Sequence, residues 1–141
     1  IIMNEEFQKK WVGGICIKDG KVLLIHRINK ERLFNKEYFI FPGKTAEDDE
    51  SISEALHASF QEHGLIVQAG DLLYSKEDVD EAEYFYNCTY STGEILLPEV
   101  TSLEDLEATE QLFTPMWIPL SELDELIVHP ESIKEILLEN N

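Results

Sequence analysis

An α/β fold, built as an α+β sandwich, is predicted by three features of this 141-residue sequence. Strand-like runs stand on both sides of an early amphipathic helix, a two-residue turn signal joins the first two runs, and short helical segments close the chain.

Taken in order, Trp11 to Lys18 and Lys21 to Arg27 are rich in β-branched and aromatic residues. Between them Asp19-Gly20 is the signature of a tight hairpin turn. Tyr38 to Phe41 reads as a third short strand, stopped by Pro42-Gly43, and an acidic loop follows, Glu47-Asp48-Asp49-Glu50. Ser51-Ile52-Ser53-Glu54 is a capping box, in which Ser51 accepts from a backbone amide and Glu54 reaches back. Ile52, Ala55, Leu56 and Phe60 then recur at helical spacing, and Gly64 supplies a stop, which predicts a helix from about Ile52 to His63. Leu72 to Tyr74, Glu83 to Tyr90 and Gln111 to Ile118 read as further strands, with Thr92-Gly93 a turn and Pro119 a terminator. Two short helices are expected at Ser121 to Leu126 and Glu131 to Leu138.

Length fits one domain, residues 1–141, with one core. Hydrophobic residues make up 43% of the chain, enough to fill it. No apolar run approaches the roughly 20 residues that cross a bilayer, and Ile1 to Lys10 lacks the apolar segment of a signal peptide. A soluble, cytoplasmic protein is the resulting expectation. Cys16 and Cys88 each lie in an apolar run and form no Cys-x-x-Cys pair, so two buried thiols are expected and zinc or dithiol chemistry has no support. Eleven Lys and Arg stand against 29 Asp and Glu, a net charge of −18. That surface repels nucleic-acid backbones and acidic membranes, which excludes both as expected partners. It repels free nucleotides too, unless a metal ion or a basic patch intervenes.

The segment Phe41-Pro42-Gly43-Lys44-Thr45-Ala46-Glu47-Asp48-Asp49-Glu50-Ser51 resembles the loop that opens a Nudix box. Laid on the box pattern without gaps, Lys44 falls at the glycine and Glu50 at the first glutamate. Ala58 stands for the arginine, Ser59 for the next glutamate and Phe60 for the aliphatic residue. Glu62 matches the first of the paired glutamates and His63 replaces the second, while Gly64-Leu65 come one residue early. Trp11-Val12-Gly13-Gly14, Val22 to Arg27 and Trp117 to Leu123 also stand in positions familiar from Nudix proteins, so the resemblance covers nearly the whole chain. It implies a mixed central sheet flanked by helices, and hydrolysis of a diphosphate linked to a nucleoside or similar group. It also implies magnesium or manganese, held mainly by carboxylates of the helix.

A hard dication needs several oxygen ligands at once. At about 100° per residue, Ser59 and His63 lie about 40° apart on the helix and Glu62 about 60° beyond Ser59. These three positions are expected to form one patch facing the loop, offering one carboxylate, a hydroxyl and an imidazole. The imidazole suits zinc, nickel or copper better than magnesium. Replacing the arginine by Ala58 removes the cation that, by resemblance, fixes a neighbouring glutamate. The candidate metal ligands are Glu62, Glu50 and His63, with Glu62 the candidate catalytic residue. Each has a plainer reading: an exposed helix glutamate, a first-turn acid favoured by the helix dipole, and a packed or capping histidine. Arg27 and Lys44 are the candidate substrate-binding residues, with Arg32 beside them. Lys44 either meets a phosphate or reshapes the loop where glycine would let backbone approach. His57 is expected to face solvent. The Tyr84-Phe85-Tyr86 run can stack on a base or pack in the core, and a later Glu104, Glu107 or Glu110 can supply a base.

The expected function is therefore a Nudix-like, metal-dependent hydrolase of nucleoside-diphosphate-linked compounds, weakened by loss of the box Arg-Glu pair and of one paired glutamate. The alternatives are a non-catalytic Nudix-fold module binding a nucleotide, a metabolite or a protein, and a structural or regulatory dimer subunit. A homodimer is the assembly the resemblance implies.

Overall fold

The computed structural model describes residues 9–29, 31–34, 37–97 and 114–140. In chain order the elements are β1 (Lys9–Lys18), β2 (Lys21–Ile28), β3 (Glu37–Ile40), β4 (Gly43–Thr45), α1 (Ile52–Gln61), β5 (Leu65–Glu77), β6 (Glu81–Gly93), β7 (Thr114–Pro119), a 3-10 helix (Leu120–Glu125), β8 (Val128–His129) and α2 (Glu131–Glu139). They fall into two compact units, Ile1–Cys16 with Pro42–Glu94 and Ile17–Phe41 with Ile95–Asn141.

The first unit is a mixed sheet carrying α1. β1 runs parallel to β6 and antiparallel to β4, and β6 runs antiparallel to β5. Helix α1 lays Ala55, Leu56 and Phe60 inward, none more than 1% exposed. Phe60 rests on β1 because Gly14 has no side chain there: a Cβ at that position would come within 2.6 Å of the Phe60 ring. Full burial of Leu56 and of Phe60 contributes about 1.5–3 kcal/mol each. Ile52, predicted on the same face, is 42% exposed.

In the second unit β2 lies between β7 and β3, antiparallel to both, and β3 pairs in parallel with β8. Val22 to Ile25 are all buried, the continuous apolar run of a strand covered on both faces. The hairpin turn is as expected: Asp19 and Gly20 have φ of 52° and 75°, the left-handed pair that matches strand twist. The Lys134 ammonium of α2 donates to the carbonyls of Asp124 and Leu126, holding the end of the 3-10 helix.

Several boundaries differ from the sequence expectations. The segment expected to hold one short strand at Leu72 to Tyr74 is a 13-residue strand. Its pairing with β6 is broken by irregularities near Ile66, Ala69 and Leu72, and these blur the alternation that would mark it. Thr92-Gly93 ends β6 rather than turning, and Gly43–Thr45 and Val128–His129 form short strands too brief for a sequence signal. Ser121 to Leu126 forms 3-10 rather than α-helix, with no side-chain cap. Helix α1 stops at Gln61, with Glu62 as C-cap and Gly64 at φ 88° reversing the chain. Residues 111–113 of the strand expected over Gln111 to Ile118 lie outside the described residues. Among the described residues no helix is long and apolar enough to cross a membrane.

Candidate active site of the first unit

The capping box forms as predicted. Ser51 Oγ accepts from the Glu54 amide at 3.1 Å, and Glu54 Oε1 accepts from the Ser51 amide at 3.2 Å. The helix start is thus fixed by its own side chains, and the acidic loop before it is brought back towards β4.

Lys44 and Glu50 meet across this loop. The ammonium lies 2.9 Å from each carboxylate oxygen of Glu50. Glu50 Oε1 also accepts from the Glu47 amide at 3.1 Å, and the Glu50 amide donates to the Glu47 carbonyl at 3.0 Å. The hydrogen bond from Lys44, and then that from the Glu47 backbone, hold the Glu50 carboxyl below its ordinary range. The bond to Glu50 raises the Lys44 pKa despite some desolvation. Both groups stay charged, each largely satisfied by the other. Glu47, Asp48 and Asp49 remain exposed.

On α1 the three positions expected to act together differ in surroundings. Ser59 is 1% exposed, and its hydroxyl donates to the Ala55 carbonyl at 2.8 Å, turned back along its own helix. Glu62, at the C-cap, is exposed. His63 is 5% exposed, and burial pushes its pKa down, only partly opposed by the charge of Glu62. At neutral pH the imidazole is therefore uncharged and packed. Ser59 and His63 are thus buried while Glu62, where α1 has ended, is exposed. His57 is exposed, as its helical position predicts.

Among the described residues no three His, Cys, Asp or Glu side chains come together in a way that could hold a metal ion. The donors present do not fit magnesium or manganese, which want several carboxylate or carbonyl oxygens around one point. Glu50 is occupied by an ammonium and Ser59 by a carbonyl, which leaves Glu62 as the exposed carboxylate of the helix end. Two open clefts in this unit, about 170 Å³ beside Trp11 and Thr45 and about 390 Å³ beside His57 and Gln68, take in none of Lys44, Glu50, Glu62 or His63.

In the second unit Arg27 is half-buried opposite Tyr38, and its Nε is buried without a hydrogen-bond partner. Arg32 is exposed. Phe85 is buried, where it fills the space above Gly13, whereas Tyr84 and Tyr86 are half-buried and the Tyr84 hydroxyl donates to Glu77. Glu104, Glu107 and Glu110 lie outside the described residues. The Lys44–Glu50 pair was missed by sequence reasoning, which weighed the two residues separately. The available signal was an opposite charge six residues away across the expected loop.

Known structures resemble the chain along nearly all its length. An ADP-ribose pyrophosphatase from Streptococcus suis superposes with a TM-score of 0.64 at 16% identity, covering 94% of this chain and 90% of that one. A Nudix hydrolase from Nitrosomonas europaea gives 0.62 at 14% identity, covering 94% and 86%. A MutT protein from Methanosarcina mazei gives 0.56 at 14% identity, covering 94% and 91%.

The chain has the Nudix fold.

No family model matches its sequence, and no curated protein matches it. At such identities the likeness shows the fold alone. What the site can do follows from this chain's own residues.

Proposed function

We propose that this protein is a Nudix-fold relative of the diphosphate hydrolases that retains binding of a nucleoside-diphosphate-linked small molecule and has lost most of its metal-dependent hydrolysis. The observation that carries this reading is Ser59, buried and hydrogen-bonded to its own helix where the box pattern has a carboxylate. A carboxylate dication site depends on several oxygens acting together, so losing some of them costs far more than a proportional share of affinity. In this reading Lys44 supplies positive charge for the phosphates, against a chain of net charge −18. The chain works as one cytoplasmic domain, paired as a homodimer, without nucleic-acid or membrane partners.

The hydrolase names of the structural neighbours favour a second reading, slow hydrolysis centred on Glu62 and assisted by Glu50. One experiment separates the two. The protein is incubated with magnesium or manganese and a panel of nucleoside di- and triphosphates, dinucleotides and sugar nucleotides, while product and melting temperature are followed. The proposal expects stabilisation of about 2.7 kcal/mol at ligand concentrations a hundredfold above Kd, with little product. Brisk turnover abolished by Glu62→Gln would defeat it in favour of the second reading.

A further inference from the structure

We propose that Lys44 is the resident cation of this loop, holding Glu50 in place of the divalent metal that the fold implies, so that the loop neither needs nor binds one. The inference deepens the reading of this site as a binding centre and rests on it only where a ligand is concerned.

The geometry is that of a substituted ion. The ammonium stands 2.9 Å from both oxygens of Glu50, and the Glu47 amide takes a further share of Oε1. A magnesium ion seated on this carboxylate at about 2.1 Å would lie within a few ångströms of the Lys44 charge. The two cations would repel one another strongly at that separation. Displacing the lysine would also break the contacts that fold residues 47–50 back on β4. On α1 Ser59 is buried and Glu54 is engaged in the capping box, and just beyond it His63 is buried while Glu62 is exposed. Lys44 also has the anchorage a resident cation requires: its backbone lies in β4, opposite Val12 of β1. Its side chain remains 31% exposed. An ammonium has three donor hydrogens, so while bound to Glu50 it can still present one outward to a phosphoryl oxygen. The ammonium then bridges carboxylate and phosphate as a metal would, with one charge instead of two.

The test uses the full chain, 15N-labelled, with manganese alone as the first probe. In wild-type protein the amides of residues 44–50 should show only the diffuse, non-saturating broadening expected of exposed acids. Lys44→Gln, which removes the competing charge from Glu50, should strengthen manganese contact at this carboxylate about tenfold or more, and Lys44→Arg should behave as wild type. A second arm titrates ADP calorimetrically in EDTA and in magnesium. Wild-type affinity should agree between the buffers within about twofold, and Lys44→Gln should weaken binding in EDTA by about tenfold. Saturable manganese binding at Glu50 in wild-type protein, unchanged by Lys44→Gln, would overturn the inference, as would ADP binding that requires magnesium. If wild-type protein binds ADP in neither buffer while the manganese result is as expected, the proposed function falls and the replacement of the metal stands.

Discussion

The inward face of α1 and the loop that precedes it belong to the same unit and the same stretch of sequence, yet they have kept different things. On the helix face Ala55, Leu56 and Phe60 fill the space over β1, and Phe60 does so at the position where the box pattern has an aliphatic residue. Packing asks only for apolar volume of about the right shape, so the exchange is tolerated. In the box pattern the loop and helix end supply charge at fixed points. There Lys44, Ala58, Ser59 and His63 each change charge or donor type relative to that pattern. A fold survives substitutions that a hard-ion site does not, because burial is summed over many contacts and coordination is not.

The comparison can be broken most directly at Phe60. Phe60→Ala should cost about 3–5 kcal/mol of unfolding free energy by urea denaturation; a loss below about 1 kcal/mol would mean that the contact with Gly14 does not anchor the helix. Next comes Ser59→Glu, which restores the acid of the pattern inside a site 1% exposed. Without a paired cation it should destabilise the protein by about 3 kcal/mol and add no manganese binding while Lys44 is in place. A stable variant that gains the metal would show that the helix had merely mislaid a ligand.

His63 gives a smaller effect with a definite sign. Burial lowers its pKa from the ordinary 6.5, so the unfolded chain takes up a proton that the folded one resists. The stability linked to His63 is complete above pH 6.5 and is lost as pH falls below 6.5 towards the folded value. Glu50, held below the ordinary 4.5, contributes its own loss only at more acidic pH. Replacing His63 by Gln should flatten the upper window alone in urea titrations at stepped pH. An unchanged slope would mean that another group titrates there. The smallest effect is expected at Leu72, which is 48% exposed on β5. Leu72→Ser should change stability by no more than about 0.5 kcal/mol.

What could be read in advance follows the range of the interaction. Asp19-Gly20 and the Ser51/Glu54 box are local devices, complete within four residues, and both formed as read. Strand β5 was legible only over Leu72 to Tyr74, since Gln68 to Asp71 are exposed and the register slips around them. Strand β8 has two residues and exists because β3 offers it a partner. In the site, the box substitutions were visible as identities. The burial of His63 depends on how the chain packs after α1 ends, and the Lys44–Glu50 contact depends on how the loop closes. Those are tertiary facts, and pattern matching carries no term for them.

Cys16 and Cys88 lie opposite each other in the register of β1 and β6, both buried. Burial, with a smaller push from Cys16, raises the Cys88 thiol to about 12. At pH 8 its thiolate fraction is then on the order of one in ten thousand, and thiolate is the form that alkylating reagents attack. Iodoacetamide should therefore reach Cys88 only when β6 has parted from its neighbours, which makes this sulfur a chemical clock for the opening of the first unit.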